Sequence, residues 1–408
     1  MTLELSQLTS DLAAAGQHIA KQARQRAELL PTVREHFALL NTLPDLDERI
    51  ALARTGNWNG ALPTHEPPTR LYDLPALPAD FTLVAADGSQ IAPSIHAPEL
   101  YYVINVAGFV MRFSSATAPT ITRRSQLAFR DEHVLLATGD PITDAVISLR
   151  RSAEEMHLLA DLVEQQPTDA PLAALYDGQL ALRSRAQEVD DAERAELQER
   201  YFEDLNRLAE RPTALGGYVD RPNGRVLLRL IYLAPIPLDQ VSSHLATPTA
   251  SQPYAGLRDR TFLETILAPG QRTAIFENAS GWNREYREYT LKGTPHTHSI
   301  HYFYINVGRP NDPTIARVDL PQWAARNPQL VNYLHAAVVQ QCAITIGPAY
   351  PYALARADEE AVIQNHERSM VEDMLQVELL RNRHIAETSP KLSHKGTARA
   401  GKRRKTQP

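Results

Sequence analysis

Cysteine is nearly absent: Cys342 stands alone in a chain of 408 residues. One thiol allows no internal disulfide framework and no cysteine-built zinc site, and it reads most simply as a core residue. Long apolar runs are missing as well. No stretch approaches the roughly 18 apolar residues of a membrane-spanning helix, so no membrane association is expected. The opening MTLELSQLTSDLAAAGQHIAKQ lacks the basic start, apolar middle and small-residue cleavage site of a secretory signal. These absences together predict a cytoplasmic protein. Three catalytic signatures are lacking too: no GxxxxGKS or GxxxxGKT loop, no GxSxG elbow and no HExxH helix. Those gaps exclude a P-loop ATP site, the serine-hydrolase elbow and the zincin helix.

What is present is an ordinary globular composition, 43% hydrophobic and 22% charged. The net charge of −6 hides an asymmetry. The end of the chain, KLSHKGTARAGKRRKTQP from Lys391, is strongly basic and carries no acid. The remainder is therefore more acidic than the total. That argues against a broad nucleic-acid surface but allows a local basic channel. The tail, residues 386–408, reads as a disordered solubilising end that could also touch phosphate.

Residues 1–79 read as an N-terminal helical region and its connector. Leu3, Leu5, Leu8, Leu12 and Ile19 recur at helical spacing. Pro31 and Pro44 punctuate the region, and the Pro-rich 57–79 connects it onward. Residues 80–385 read as one mixed α/β domain. FTLVAADG is a short buried strand, ELYYVINVAGFVMRF supplies one or two antiparallel neighbours, and PLAALYDGQL is another buried strand. SLRRSAEEMHLLADLVEQQ is a helix between them, HSIHYFYINVG and TIARVDLPQW form a strand pair, and helices close the domain. Strands with interspersed helices predict a mixed sheet core flanked by helices.

Two of these strands end on Asp-Gly, at Asp87-Gly88 and Asp177-Gly178. Either alone is more often a turn than a site. If the strands are neighbours, both carboxylates meet at one sheet edge. The helix between them sharpens the point. At about 100° per residue, Met156, Leu158, Leu159, Leu162 and Val163 form one face, with Glu155 near its middle and Glu154 on the polar side. An inward glutamate needs a partner, unless it snorkels to water at the helix end. In LARADEEAVI, Asp358 falls on the face shared by Leu354, Ala361 and Val362. Four acids from two strands and two helices are thus expected to converge. Oxygen ligands of this kind suit Mg²⁺ or Mn²⁺ and two-metal phosphodiester chemistry. His296, His298 and His301 alternate poorly for a metal site and read as a polar strand face.

The ordered set ADGSQ, Glu155, LYDGQL, GYVDRP, LRDRTFLETILAPGQRTAIF, IARVDLPQW and AYPYALARADEEAVI resembles the NurA nucleases from about residue 80 to residue 365. The resemblance implies a ribonuclease H-like core and a Mn²⁺- or Mg²⁺-dependent nuclease acting on DNA ends and single-stranded DNA. It implies resection of 5′ strands at double-strand breaks, a homodimer, and a HerA-like hexameric ATPase as partner. The family's first Asp falls on Asp87, its helical Glu on Glu155 and its second strand Asp on Asp177. A late Tyr, followed eight positions later by His in some members, falls on Tyr350 and Asp358. The change from His to Asp keeps metal-binding capacity and alters the charge, and DGQ stands where DGS is common. Asp87, Glu155, Asp177 and Asp358 are the metal-ligand candidates, and Tyr350 joins them as a catalytic candidate that stacks on a base or bonds to a phosphate. Arg221, Arg258, Arg260 and Arg317 are candidate phosphate contacts. Two other readings stay open: a non-catalytic DNA-end or motor-binding adaptor, and a nuclease acting on RNA or hybrids.

Overall fold

The structure, a computed structural model, describes residues 5–56, 58–93, 99–113, 117–182, 189–246, 253–289 and 297–382. The basic tail and His296 lie outside the described residues. The chain forms two compact units. Of the described residues, the first gathers those within 5–76, 217–289 and 297–350, and the second those within 77–216 and 351–382.

The second unit contains all four acids. Its first strand, β1 (Thr82–Ile91), pairs along its whole length with antiparallel β2 (Tyr102–Arg112), from Thr82 opposite Arg112 to Ile91 opposite Val103. An antiparallel β3 (Thr120–Ala128) follows. Helix α1 (Asp144–Glu164) then leads to β4 (Leu172–Asp177), which runs parallel to β1 from Thr82 opposite Leu172 to Ala86 opposite Tyr176. Helix α2 (Asp191–Glu210) packs on α1 and precedes β5 (Thr213–Val219). The strand order β3-β2-β1-β4-β5 is the ribonuclease H-like arrangement. Helices α3 (Tyr352–Ala361) and α4 (Asn365–Arg381) complete the unit.

Alternation along the strands gives each sheet face its own helix. Gly88 and Gly108 face α1, and a Cβ on Gly108 would meet Leu162 Cδ1 at 2.1 Å. Ser89 and Asn105, on the other face, donate hydrogen bonds to the Ala361 carbonyl at the end of α3. Phe109 meets Tyr352 edge-on on that same side. Leu83, Val84, Ala85 and Ala86 are all buried because β1 is covered on both faces and paired on both edges.

The expected end of this strand at Asp87 is corrected. Asp87-Gly88 is not a turn: β1 runs on to Ile91 because β2 matches it residue for residue. The parallel partner is what ends, at Asp177. Asp87 therefore stands in mid-strand, one step past the last pair with β4.

The first unit contains the N-terminal helices Thr9–Leu39 and Leu46–Arg54. Pro31 lies inside the first helix rather than ending it, at the cost of one backbone hydrogen bond. The apolar spacing of Leu5, Leu8, Leu12 and Ile19 does not mark a buried face; all four are exposed, and the helix buries Val33 and Phe37 instead. HSIHYFYINVG and TIARVDLPQW give the expected antiparallel pair, Ile300–Asn306 with Ile315–Pro321.

The core of this unit surrounds an apolar helix, Val226–Leu233 (VLLRLIYL), clamped at both ends by opposite charges. Asp259, fully buried, accepts from the backbone N–H groups of Val226 (2.7 Å), Leu227 (3.1 Å) and Leu228 (2.9 Å) and from the Tyr304 hydroxyl (2.7 Å). Its carboxylate sits where unpaired amides and the helix dipole favour negative charge. At the other end Arg49 donates to the carbonyls of Leu233 and Ile236 and is itself held by Asp45 at 2.9 Å. Asp259→Ala leaves three buried amides and a phenol without their acceptor. It is expected to destabilise the protein by roughly 2–4 kcal/mol, read by thermal denaturation, with a smaller loss for Asp259→Asn.

Candidate active site

Glu155 lies on the buried face of α1 among Ala153, Met156, Leu158, Leu159, Leu162 and Val163, and is only 5% exposed. Its room comes from β1. A Cβ on Gly88 would lie 2.6 Å from Glu155 Oε1, so the carboxylate rests on a backbone that has no side chain. Two neighbours hold it. The Tyr176 hydroxyl, from the residue before Asp177 in β4, bonds to the carboxylate and also to Ser152. Arg151, one helical turn before Glu155, brings its Nε to 3.0 Å from Oε1. That pair is close yet not aligned for a hydrogen bond, and both atoms are buried without one. Burial pushes the Glu155 carboxyl up to about 7, Arg151 opposes this, and the fields of Asp87 and Asp177 add to it.

Asp87 is half-buried and accepts a hydrogen bond from the Gly88 N–H at 2.7 Å. Burial pushes its carboxyl up to about 7 as well; the Gly88 amide opposes this, and the negative fields of Asp177 and Asp358 add to it. Asp177, at the end of β4, is exposed. Asp358 is exposed too, which corrects its expected place on the inward face of its helix. The buried stripe of α3 is Ala353, Leu354, Ala357 and Ala361, and Asp358 rides on its flank while Val362 is 41% exposed. The four acids thus approach from three directions: Glu155 from the α1 face, Asp358 from the α3 helix, and Asp87 with Asp177 from adjacent strands.

Among the described residues no three His, Cys, Asp or Glu side chains stand close enough together to enclose a metal ion. The donor chemistry nevertheless fits one. All the donors are carboxylate oxygens, one of them is buried and unmatched, and two carboxyls are pushed up to about 7, chiefly by burial and further by the negative fields of neighbouring acids. A hard divalent cation answers each of these features.

The remaining candidates fall elsewhere. Glu154 is committed to an ion pair with Arg200 at 2.6 Å. Tyr350 belongs to the first unit, where its ring packs perpendicular to Tyr218 at 5.4 Å. Arg221, Arg258, Arg260 and Arg317 belong to that unit as well. Arg317 is buried, paired with Asp319 at 2.8 Å and laid over the Tyr302 ring, so it is a core ion pair rather than a phosphate contact. Arg258 donates to the Asn223 carbonyl, and Arg221 holds a left-handed backbone at φ 42° in an exposed position. His298 and His301 are both buried. Arg151 and Tyr176 escaped the sequence reading. Their signals were an Arg four residues before the inward Glu, and a lone aromatic in a strand of small and aliphatic residues.

The sequence pattern of the NurA domain matches residues 81–363, which span all four acids. The chain belongs to the NurA family. Similar solved structures include the NurA nuclease from Sulfolobus solfataricus, 13% identical over 91% of this chain and 98% of that one, with a TM-score of 0.47. A NurA structure with manganese is 11% identical over 88% and 98% of the two chains, with a TM-score of 0.38. One bound to dAMP and manganese is 10% identical over 87% and 95%, with a TM-score of 0.37. No curated protein sequence gives a significant match.

The raised Asp87 carboxyl has a signed consequence for stability. Its folded value of about 7 lies above the ordinary 3.8, so the folded state keeps a proton that the unfolded state releases. Stability is lost as pH rises between those values. In metal-free buffer, Asp87→Asn is expected to melt several degrees above wild type at pH 8, and the gap should narrow steadily as pH falls below about 7 toward 3.8. A gap independent of pH would show that the Asp87 carboxyl is not raised.

Proposed function

We propose that the chain is a Mn²⁺- or Mg²⁺-dependent deoxyribonuclease that processes DNA ends, a 5′-3′ exonuclease and single-strand endonuclease serving double-strand-break repair. The observation that carries this reading is the buried Glu155 carboxylate, its Oε1 unmatched, beside two strand aspartates in a NurA domain. Asp87, Glu155 and Asp177 would hold the ions, with Asp358 as a further ligand or support. Divalent ions held there would supply an activated water and positive charge for the departing 3′ oxygen.

The protein's own part is positional. Strand β1, paired on both sides up to Ala86, holds Asp87 rigidly. The bare Gly88 lets Glu155 approach the sheet. Tyr176 fixes one side of that carboxylate. Asp177 and Asp358, both exposed, leave the acids open to a chain arriving from solvent. The same reading gives the enzyme a homodimeric state, a cytoplasmic setting and a HerA-like hexameric ATPase as a separate motor. The sequence carries no GxxxxGKS or GxxxxGKT loop of its own, and no helix among the described residues is long and apolar enough to cross a membrane.

With labelled DNA and Mn²⁺, the purified protein should degrade the strand, EDTA should abolish the activity, and Asp87→Ala or Asp177→Ala should each lower the rate by at least a hundredfold. Wild-type rates in Asp87→Ala would remove the site assignment. Inactivity of the wild type on DNA, RNA and hybrids alike would favour the adaptor. A second contrast tests the helix phase: Glu155→Ala should lose far more activity than Glu154→Ala, whose cost is chiefly the Arg200 ion pair. The reverse order would defeat the placement of Glu155.

A further inference from the structure

Arg151 stands out among the arginines of this region because its guanidinium is so little committed. Arg150 donates to Glu193 at 2.6 Å, the Tyr102 hydroxyl at 2.7 Å and the His133 carbonyl at 2.8 Å. Arg200 is bound to Glu154, and Arg124 to Asp161. Arg151 instead lies 3.0 Å from Glu155 Oε1 with its Nε making no hydrogen bond, and its side chain is 30% exposed. Its stem passes Gly88, where a Cβ would lie 3.0 Å from Arg151 Cγ, so the guanidinium is beside the backbone that carries Asp87. Its charge favours the ionised forms of both Asp87 and Glu155.

We propose that Arg151 is a place-holding cation: it neutralises Glu155 in the metal-free protein, and when a divalent ion takes that carboxylate it turns to the phosphate of the DNA strand. This rests on the metal-nuclease reading above. A half-buried ion pair whose facing atoms, Arg151 Nε and Glu155 Oε1, both lack a hydrogen bond is a poor terminus for either group. A divalent ion satisfies the carboxylate better, and a phosphate accepts the fork geometry of a freed guanidinium. The partial exposure of the side chain gives it a path to solvent. The i to i+4 spacing keeps it one helical turn from the Glu155 carboxylate.

The test uses Arg151→Gln and Arg151→Lys in the full chain, each first shown to melt within a few degrees of wild type. Mn²⁺ binding is measured alone, by electron paramagnetic resonance of the free ion. Removing the competing charge in Arg151→Gln should tighten Mn²⁺ by about 3–10-fold. Binding of a fluorescent single-stranded oligonucleotide, with Ca²⁺ replacing Mn²⁺, is then followed against salt. Arg151→Gln should weaken it about tenfold and lower the salt slope by about one ion, while Arg151→Lys should keep the slope. Weaker Mn²⁺ binding with an unchanged salt slope in Arg151→Gln would overturn the proposal and leave Arg151 a support for Glu155. A wild type that binds neither Mn²⁺ nor DNA would instead overturn the nuclease reading itself.

Discussion

A carboxylate pressed against a sheet is the constraint around which the second unit is built. Glu155 belongs to an otherwise apolar face of α1, and burying a charged group there is costly unless the surroundings answer it. The answer is distributed. Gly88 withholds a side chain, Tyr176 offers a hydroxyl, Arg151 offers charge, and one oxygen is still left unmatched. A carboxylate placed this way is unfavourable to the folded chain so long as that oxygen has no partner, which is the mark of a functional rather than a stabilising position.

The sheet provides precision at the same place by an asymmetry of pairing. β1 keeps its antiparallel partner to Ile91 but loses its parallel partner after Ala86. Asp87 therefore has the rigidity of mid-strand on one side and the openness of a strand end on the other. Asp177 terminates the shorter strand beside it, and α3, tied to Ser89 and Asn105 through the Ala361 carbonyl, brings Asp358 to the opposite face. Rigid backbone, open flank and helices on both faces are the conditions under which four acids can share a field without being neutralised by one another's neighbours.

Much of this was legible in the residues. Glu155 was separable from Glu154 by helical phase alone, because five apolar neighbours define the buried arc. Asp177 was legible as a strand end because Gly178 follows a run of small and aliphatic residues, and it adopts a φ of +96° that favours glycine. The course of β1 past Gly88 was not legible: an Asp-Gly pair has the same local sequence in a turn and in a strand, and the ladder with β2 that decides between them is non-local. Asp358 misled because the true stripe is made largely of alanines, which mark a face weakly. Arg317 was misread although its cue was present, since Arg-Val-Asp in a strand puts both charges on one side. Asp259 gave no cue at all; its role as a helix cap depends on a partner more than 30 residues earlier in the chain.

That cap has a further bearing on how the chain is made. The segment Val226–Leu233 holds one charge, Arg229, in eight residues and is otherwise the kind of apolar window that associates with its own copies when left uncovered. Arg49, which secures its C-terminal end, is synthesised long before it; Asp259, which secures its N-terminal end, comes after. For an interval on the ribosome the segment has a completed lower anchor and no upper one. Arg229 is the one charge that interrupts the apolar window, and the two groups that secure its ends lie on either side of it in the chain.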